Sequence, residues 1–134
     1  MYTNFILTRS EPIVNGSNVE LGTFSSGCIV VDAYPAMIYL GGVIHLAFED
    51  EEPGIYEVEL RGTDLTASDS HVLWVCPVEL PPPDDGWTHP RSCTLVVPMR
   101  DLCVMGDLEM ALDVEVNRRW AARQTILVRD LSLP

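Results

Sequence analysis

The stretch from Asp107 to Asn117 constrains this chain most. Leu108, Met110, Leu112, Val114 and Val116 alternate there with Asp107, Glu109, Asp113 and Glu115. Successive side chains of an extended strand point to opposite faces, whereas a helix repeats about every 3.6 residues. A strict period of two therefore predicts a strand with one face in a core and the other in water. The same alternation sets Tyr56, Val58 and Leu60 against Glu57, Glu59 and Arg61, and it runs through Val72, Trp74, Cys76, Val78 and Leu80. On this pattern the strand-borne carboxylates form solvated sheet faces, and Trp74 is a core tryptophan.

Less regular apolar runs at 5–8, 19–31, 37–48, 94–104 and 125–131 complete a set of about eight strands. Turn formers punctuate them at Asn15-Gly16, Pro53-Gly54, Met105-Gly106-Asp107 and the proline-rich run 81–90. Gly41-Gly42 interrupts an apolar run and predicts a bulge or bend, while Asn117-Arg118 turns the last hairpin and Trp120 starts the final strand. Short strands with frequent turns predict an all-β fold, a two-sheet antiparallel sandwich of seven to eight strands. The 134 residues fit one domain spanning 1–134. The 81–90 run reads as a long loop within it, because apolar alternation resumes on both sides.

The pattern resembles a family of small β-sandwich proteins of unknown function from GC-rich actinobacteria. The resemblance is carried by the Asn15-Gly16 turn, Leu21 to Phe24, Pro35, Gly54-Ile55-Tyr56-Glu57-Val58-Glu59-Leu60, Gly106-Asp107-Leu108-Glu109-Met110, Val114-Glu115-Val116-Asn117 and Thr125 to Val128. Glycine followed by alternating apolar residues and a closing hairpin is also similar to the final strands of immunoglobulin-like domains. The resemblance implies an immunoglobulin-like fold and no activity. The Cys, Trp and Cys placement of an antibody domain is missing, so no disulfide is implied.

Twenty acidic residues against eight basic ones give a net charge of −12, a field that repels phosphate backbones, so nucleic acid is not an expected partner. All eight basic residues are arginine, and without lysine no Gly-x-x-x-x-Gly-Lys phosphate loop exists. No apolar run approaches the ~20 residues needed to cross a bilayer, and the first residues carry no secretory signal, so the expected partners exclude membrane and the expected location is cytoplasmic. Cys28, Cys76, Cys93 and Cys103 show no paired ligand spacing and read as free, mostly buried thiols.

Candidate chemistry is sparse. His45, His71 and His89 share no metal-binding spacing, although His45 and His71 could meet if they projected from adjacent strands. Ser25-Ser26-Gly27-Cys28 reads as a polar turn rather than a nucleophile elbow. The acidic loops Glu49-Asp50-Glu51-Glu52 and Asp84-Asp85 match no calcium-binding loop. No metal or cofactor is expected.

Trp87, flanked by prolines, is either packed over the end of the sandwich or an interaction anchor. Met37-Ile38-Tyr39-Leu40 and Leu95-Val96-Val97-Pro98 are uncharged and suit an apolar edge, so Trp87, Tyr39 and Val96 are the expected partner-binding residues. The resulting expectation is a non-enzymatic binding or assembly module that engages a protein partner or itself. The alternatives are an acidic decoy that binds basic proteins by mimicking nucleic-acid charge, and a hydrolase whose carboxylates meet only in three dimensions.

Overall fold

A computed structural model describes residues 1–8, 13–15, 18–20, 28–82 and 91–130. Its elements are β1 (Tyr2–Thr8), β2 (Ile13–Asn15), β3 (Asn18–Glu20), β4 (Cys28–Val31), β5 (Ala36–Phe48), β6 (Gly54–Asp64), β7 (Asp69–Leu80), β8 (Arg91–Val104), β9 (Leu108–Val116) and β10 (Arg119–Asp130). The protein is all-β, as the alternation predicts. One sheet has the order β1-β5-β8 and the other β4-β10-β9-β6-β7, while β2 and β3 form a separate two-stranded ribbon.

Two sheets, of three and five strands, are the arrangement expected of a β-sandwich. One pairing departs from the antiparallel expectation, since β4 runs parallel to β10, joining Leu127 to Cys28 and Asp130 to Val31. Residues 32–118 separate these strands, so no hairpin fixes their relative direction. Of the run at 19–31, residues 19–20 belong to β3 and 28–31 to β4, and 21–27 lie outside the described residues.

The two sheets share one core. Phe5, Ile44 and Leu46 of the three-stranded sheet and Val58, Val114 and Ile126 of the five-stranded sheet are all at most 5% exposed within it. Along one side the sheets are tied by Gln124, whose Nε2 donates to the carbonyl of Phe5 at 2.9 Å. At the end holding the β8–β9 connection, Tyr34 donates to Asp107 Oδ1 at 2.6 Å; burial and then this bond push its phenol up to about 12.

Bulges adjust the faces that simple alternation would assign. Opposite Gly41, β8 sets two residues, Pro98 and Met99, against one, and a Cβ at Gly41 would lie 2.5 Å from Met99 Sδ. The glycine thus makes room for the bulged partner strand, which is the bulge predicted there. In β7 the extra residue is Leu73, which fills the space beside Gly62. This shifts the phase of the strand: Val72 is 45% exposed, while Leu73 and Trp74 are each half-buried against the core. Trp74 is therefore a peripheral core residue, not a central one. The two bulges leave an apolar cavity of about 30 Å³ lined by Leu40, Leu60, Leu73, Val97 and Leu112. Its lining offers water almost no polar partner.

Cys76, Cys93 and Cys103 carry free thiols, so no intramolecular disulfide links the four cysteines. Contrary to the expectation of burial, Cys28 and Cys103 are exposed. Burial raises the pKa of Cys93, with a further contribution from Cys76. Thermal melts with and without reductant are expected to agree; a fall of more than about 5 °C on reduction, the scale of a 1 kcal/mol loss, would show that a disulfide stabilises the fold. Among the described residues no helix is long and apolar enough to cross a membrane.

Candidate interaction surface

The outer face of the five-stranded sheet departs most from the sequence pattern. Asp113 was expected on a solvated face, yet it is only 8% exposed. Its carboxylate accepts from Arg123 twice, Nε to Oδ1 at 2.7 Å and Nη2 to Oδ2 at 3.1 Å, and from Trp120 Nε1 at 3.0 Å. The bidentate pair fixes the carboxylate plane, and the indole N–H then fixes the tryptophan ring. Neighbouring Ala111 is fully buried as well, so this part of the face is covered rather than wet.

A third bulge makes the convergence possible. Trp120 pairs with Glu115 and Arg123 with Asp113, two residues apart on β9 but three apart on β10. Without the register shift between Trp120 and Ala122, these side chains would lie on opposite faces. Across the sheet, Arg61 reaches Glu115 at 3.1 Å and Glu59 at 3.4 Å, so arginines interrupt the row of acids.

Although it is held by its N–H, Trp120 is 64% exposed. It borders a hollow of about 390 Å³ together with Tyr2, itself 59% exposed, and Arg119. The adjoining turn has φ of 48° at Asn117 and 65° at Arg118, the backbone of a tight two-residue hairpin that asparagine tolerates. Asn117 pins the turn to β6: its N–H donates to the Glu57 carbonyl at 2.9 Å, and its Oδ1 accepts from the Glu57 N–H at 2.8 Å. Arg118 and Arg119 are exposed. Neither side chain has an ion-pair or hydrogen-bond partner among the described residues.

The same end carries the acidic loop between β5 and β6. Glu51 pairs with the Met1 ammonium and accepts from the Glu49 N–H at 2.6 Å, while the Glu52 carbonyl accepts from Tyr56 at 2.6 Å. Burial acts to raise the pKa of Glu51, but the ammonium and the backbone donors outweigh it and hold the carboxyl below its usual range. Met1 also lines the hollow beside Trp120, so the acidic loop and the arginine-tryptophan lip are neighbours.

The residues singled out from sequence fall elsewhere. Tyr39 and Val96 share the outer face of the three-stranded sheet, where Tyr39 is 51% exposed opposite Asp101 and Val96 is half-buried opposite Val43. The segment Met37 to Leu40 pairs with β8 through Cys103 to Arg100, whereas the described pairing of β1 with β5 covers only Gly41 to Ala47. Val96 does lie on an edge strand, β8. Trp87 lies outside the described residues. His45, bonded to Thr94 Oγ1 at 3.0 Å, and His71 occupy different sheets and do not meet, and His89 lies outside the described residues. Among the described residues no three potential ligands come together to hold a metal ion.

Sequence reasoning placed Trp120 only as the start of a strand. The available signal was the run Arg118-Arg119-Trp120 after a turn, which concentrates cations and an aromatic ring in an acidic chain. Comparison of the chain with models of protein families and with curated proteins found no match.

Proposed function

We propose that this protein is a non-enzymatic binding or assembly module that engages protein through the end of the sandwich bearing Trp120. One observation carries this reading: a tryptophan 64% exposed to solvent is held in a single orientation by a buried, bidentate Asp113–Arg123 pair. Large aromatic rings flanked by arginine are the usual anchors of protein interfaces, and a ring fixed beforehand loses little entropy on binding. The decoy alternative calls for an unbroken acidic array, and Arg61 and Arg123 interrupt the acidic rows of the outer sheet face. For a hydrolase the carboxylates would have to be available to substrate, whereas Asp113, Glu115 and Glu59 are each engaged by arginine.

Light scattering over a range of concentrations and capture from host extract, each run on the wild type and on Trp120→Ala, test the reading together. Association or capture by the wild type that weakens in Trp120→Ala is the expected result. A strict monomer that captures nothing, and behaves identically after the substitution, would remove the case for a binding module.

A further inference from the structure

We infer that the partner at this end is a second copy of the same chain, joined end to end about a two-fold axis; this rests on the reading of the Trp120 end as a protein-binding surface. An isologous interface requires a patch that matches itself, so that whatever one copy presents the other can receive. This end meets that requirement in charge. Arg119 lines the hollow and Arg118 precedes it, the side chains of both unpartnered among the described residues, while Met1, which also lines the hollow, is paired with Glu51 of the acidic loop, whose Glu49, Asp50 and Glu52 are exposed.

A strongly acidic foreign surface that neutralised the arginines would be driven against the acidic loop, and a strongly basic one would meet Arg118 and Arg119. A rotated copy avoids both conflicts, because each lip faces the opposite loop. The apolar centre is supplied by the same geometry, with Trp120 of each copy beside a hollow of about 390 Å³ that a tryptophan side chain of the other can enter. The net charge of −12 per chain opposes association at long range. At physiological salt that repulsion is screened beyond about 8 Å, while contact pairs across the seam lie well inside that distance.

Sedimentation equilibrium at physiological salt tests the inference with four proteins: the wild type, Trp120→Ala, the pair Arg118→Glu with Arg119→Glu, and the pair Asp50→Arg with Glu52→Arg. The wild type is expected to dimerise. Trp120→Ala is expected to weaken the dimer by about tenfold or more, the scale of losing a central aromatic anchor. Each charge-reversed protein alone is expected to be a monomer, because like charges then face each other twice. An equimolar mixture of the two is expected to restore a dimer, since every contact becomes opposite in sign again; recovery on mixing also shows that both variants are folded.

A wild type that stays monomeric up to about 1 mM, the weak limit of specific association, overturns the inference. So does a dimer that persists in Trp120→Ala and in both charge variants, which would place self-assembly on another face. A monomer that captures a foreign protein through Trp120 overturns the second copy as partner and leaves the binding-module reading standing.

Discussion

Truncating Ile44 to alanine is expected to cost about 4 kcal/mol and to lower the melting temperature by roughly 15 °C. Ile44 is fully buried in the middle of β5, in register with Phe5 on one side and Leu95 on the other. Its side chain points between the sheets, so the deleted methyl groups leave a cavity that neither sheet can collapse into without breaking its ladder. Tyr39→Ala on the same strand is the comparison. That ring is 51% exposed on the outer face, and its loss should cost less than about 1 kcal/mol. Urea melts of the two variants measure the difference. Equal effects would mean that β5 does not present alternate residues to core and surface, and the sandwich arrangement would fail with it.

The parts of the fold legible in the sequence are those where period two runs unbroken. β9 and the first half of β6 were read with their core faces correct, because Val58, Leu60, Leu112, Val114 and Val116 are buried as the alternation requires. The closing turn was legible too, since asparagine is among the few residues that accept a positive φ, and both Asn117 and Arg118 adopt one. Bulges were harder. Gly41 gave a local signal for one, but the extra residues Leu73 and Ala121 leave no mark in the sequence, and each puts the side chains before it out of phase with those after it. That shift is why Val72 was assigned inward.

The same cause hid the interaction surface. Read with a period of two, Trp120 and Arg123 fall on opposite faces, and Asp113 on an outer face reads as solvated. Only the bulge at Ala121 brings the three together, and only then does the carboxylate become buried and bidentate. Tyr39 and Val96 were found as members of uncharged segments, but which strands flank those segments depends on contacts between strands far apart in the chain. No local pattern encodes which strand ends at an edge.

Asp113→Ala is the change expected to act on both stability and association. It removes three hydrogen bonds to one buried carboxylate, and bonds to charged groups are each worth more than neutral ones. The loss is smaller than for a fully enclosed ion pair, because the Arg123 side chain is 50% exposed and rehydrates once its partner is gone. A cost of about 2 kcal/mol follows, or roughly 8 °C in melting temperature. Asp113→Asn keeps an oxygen that can accept from Trp120 or Arg123 and is expected to lose about half as much. Glu115→Ala breaks the half-exposed pair with Arg61 and should cost less than about 1 kcal/mol. Association gives the sharper readout: in Asp113→Ala the tryptophan is still present, but its ring must be ordered anew on each encounter. Ordering one such side chain costs up to about 1.5 kcal/mol, so binding at this end should weaken by up to about tenfold at a temperature where the variant is fully folded. If Asp113→Ala melts early yet associates as strongly as the wild type, the Asp113–Arg123 pair is a structural clasp alone, and the orientation of Trp120 owes nothing to it.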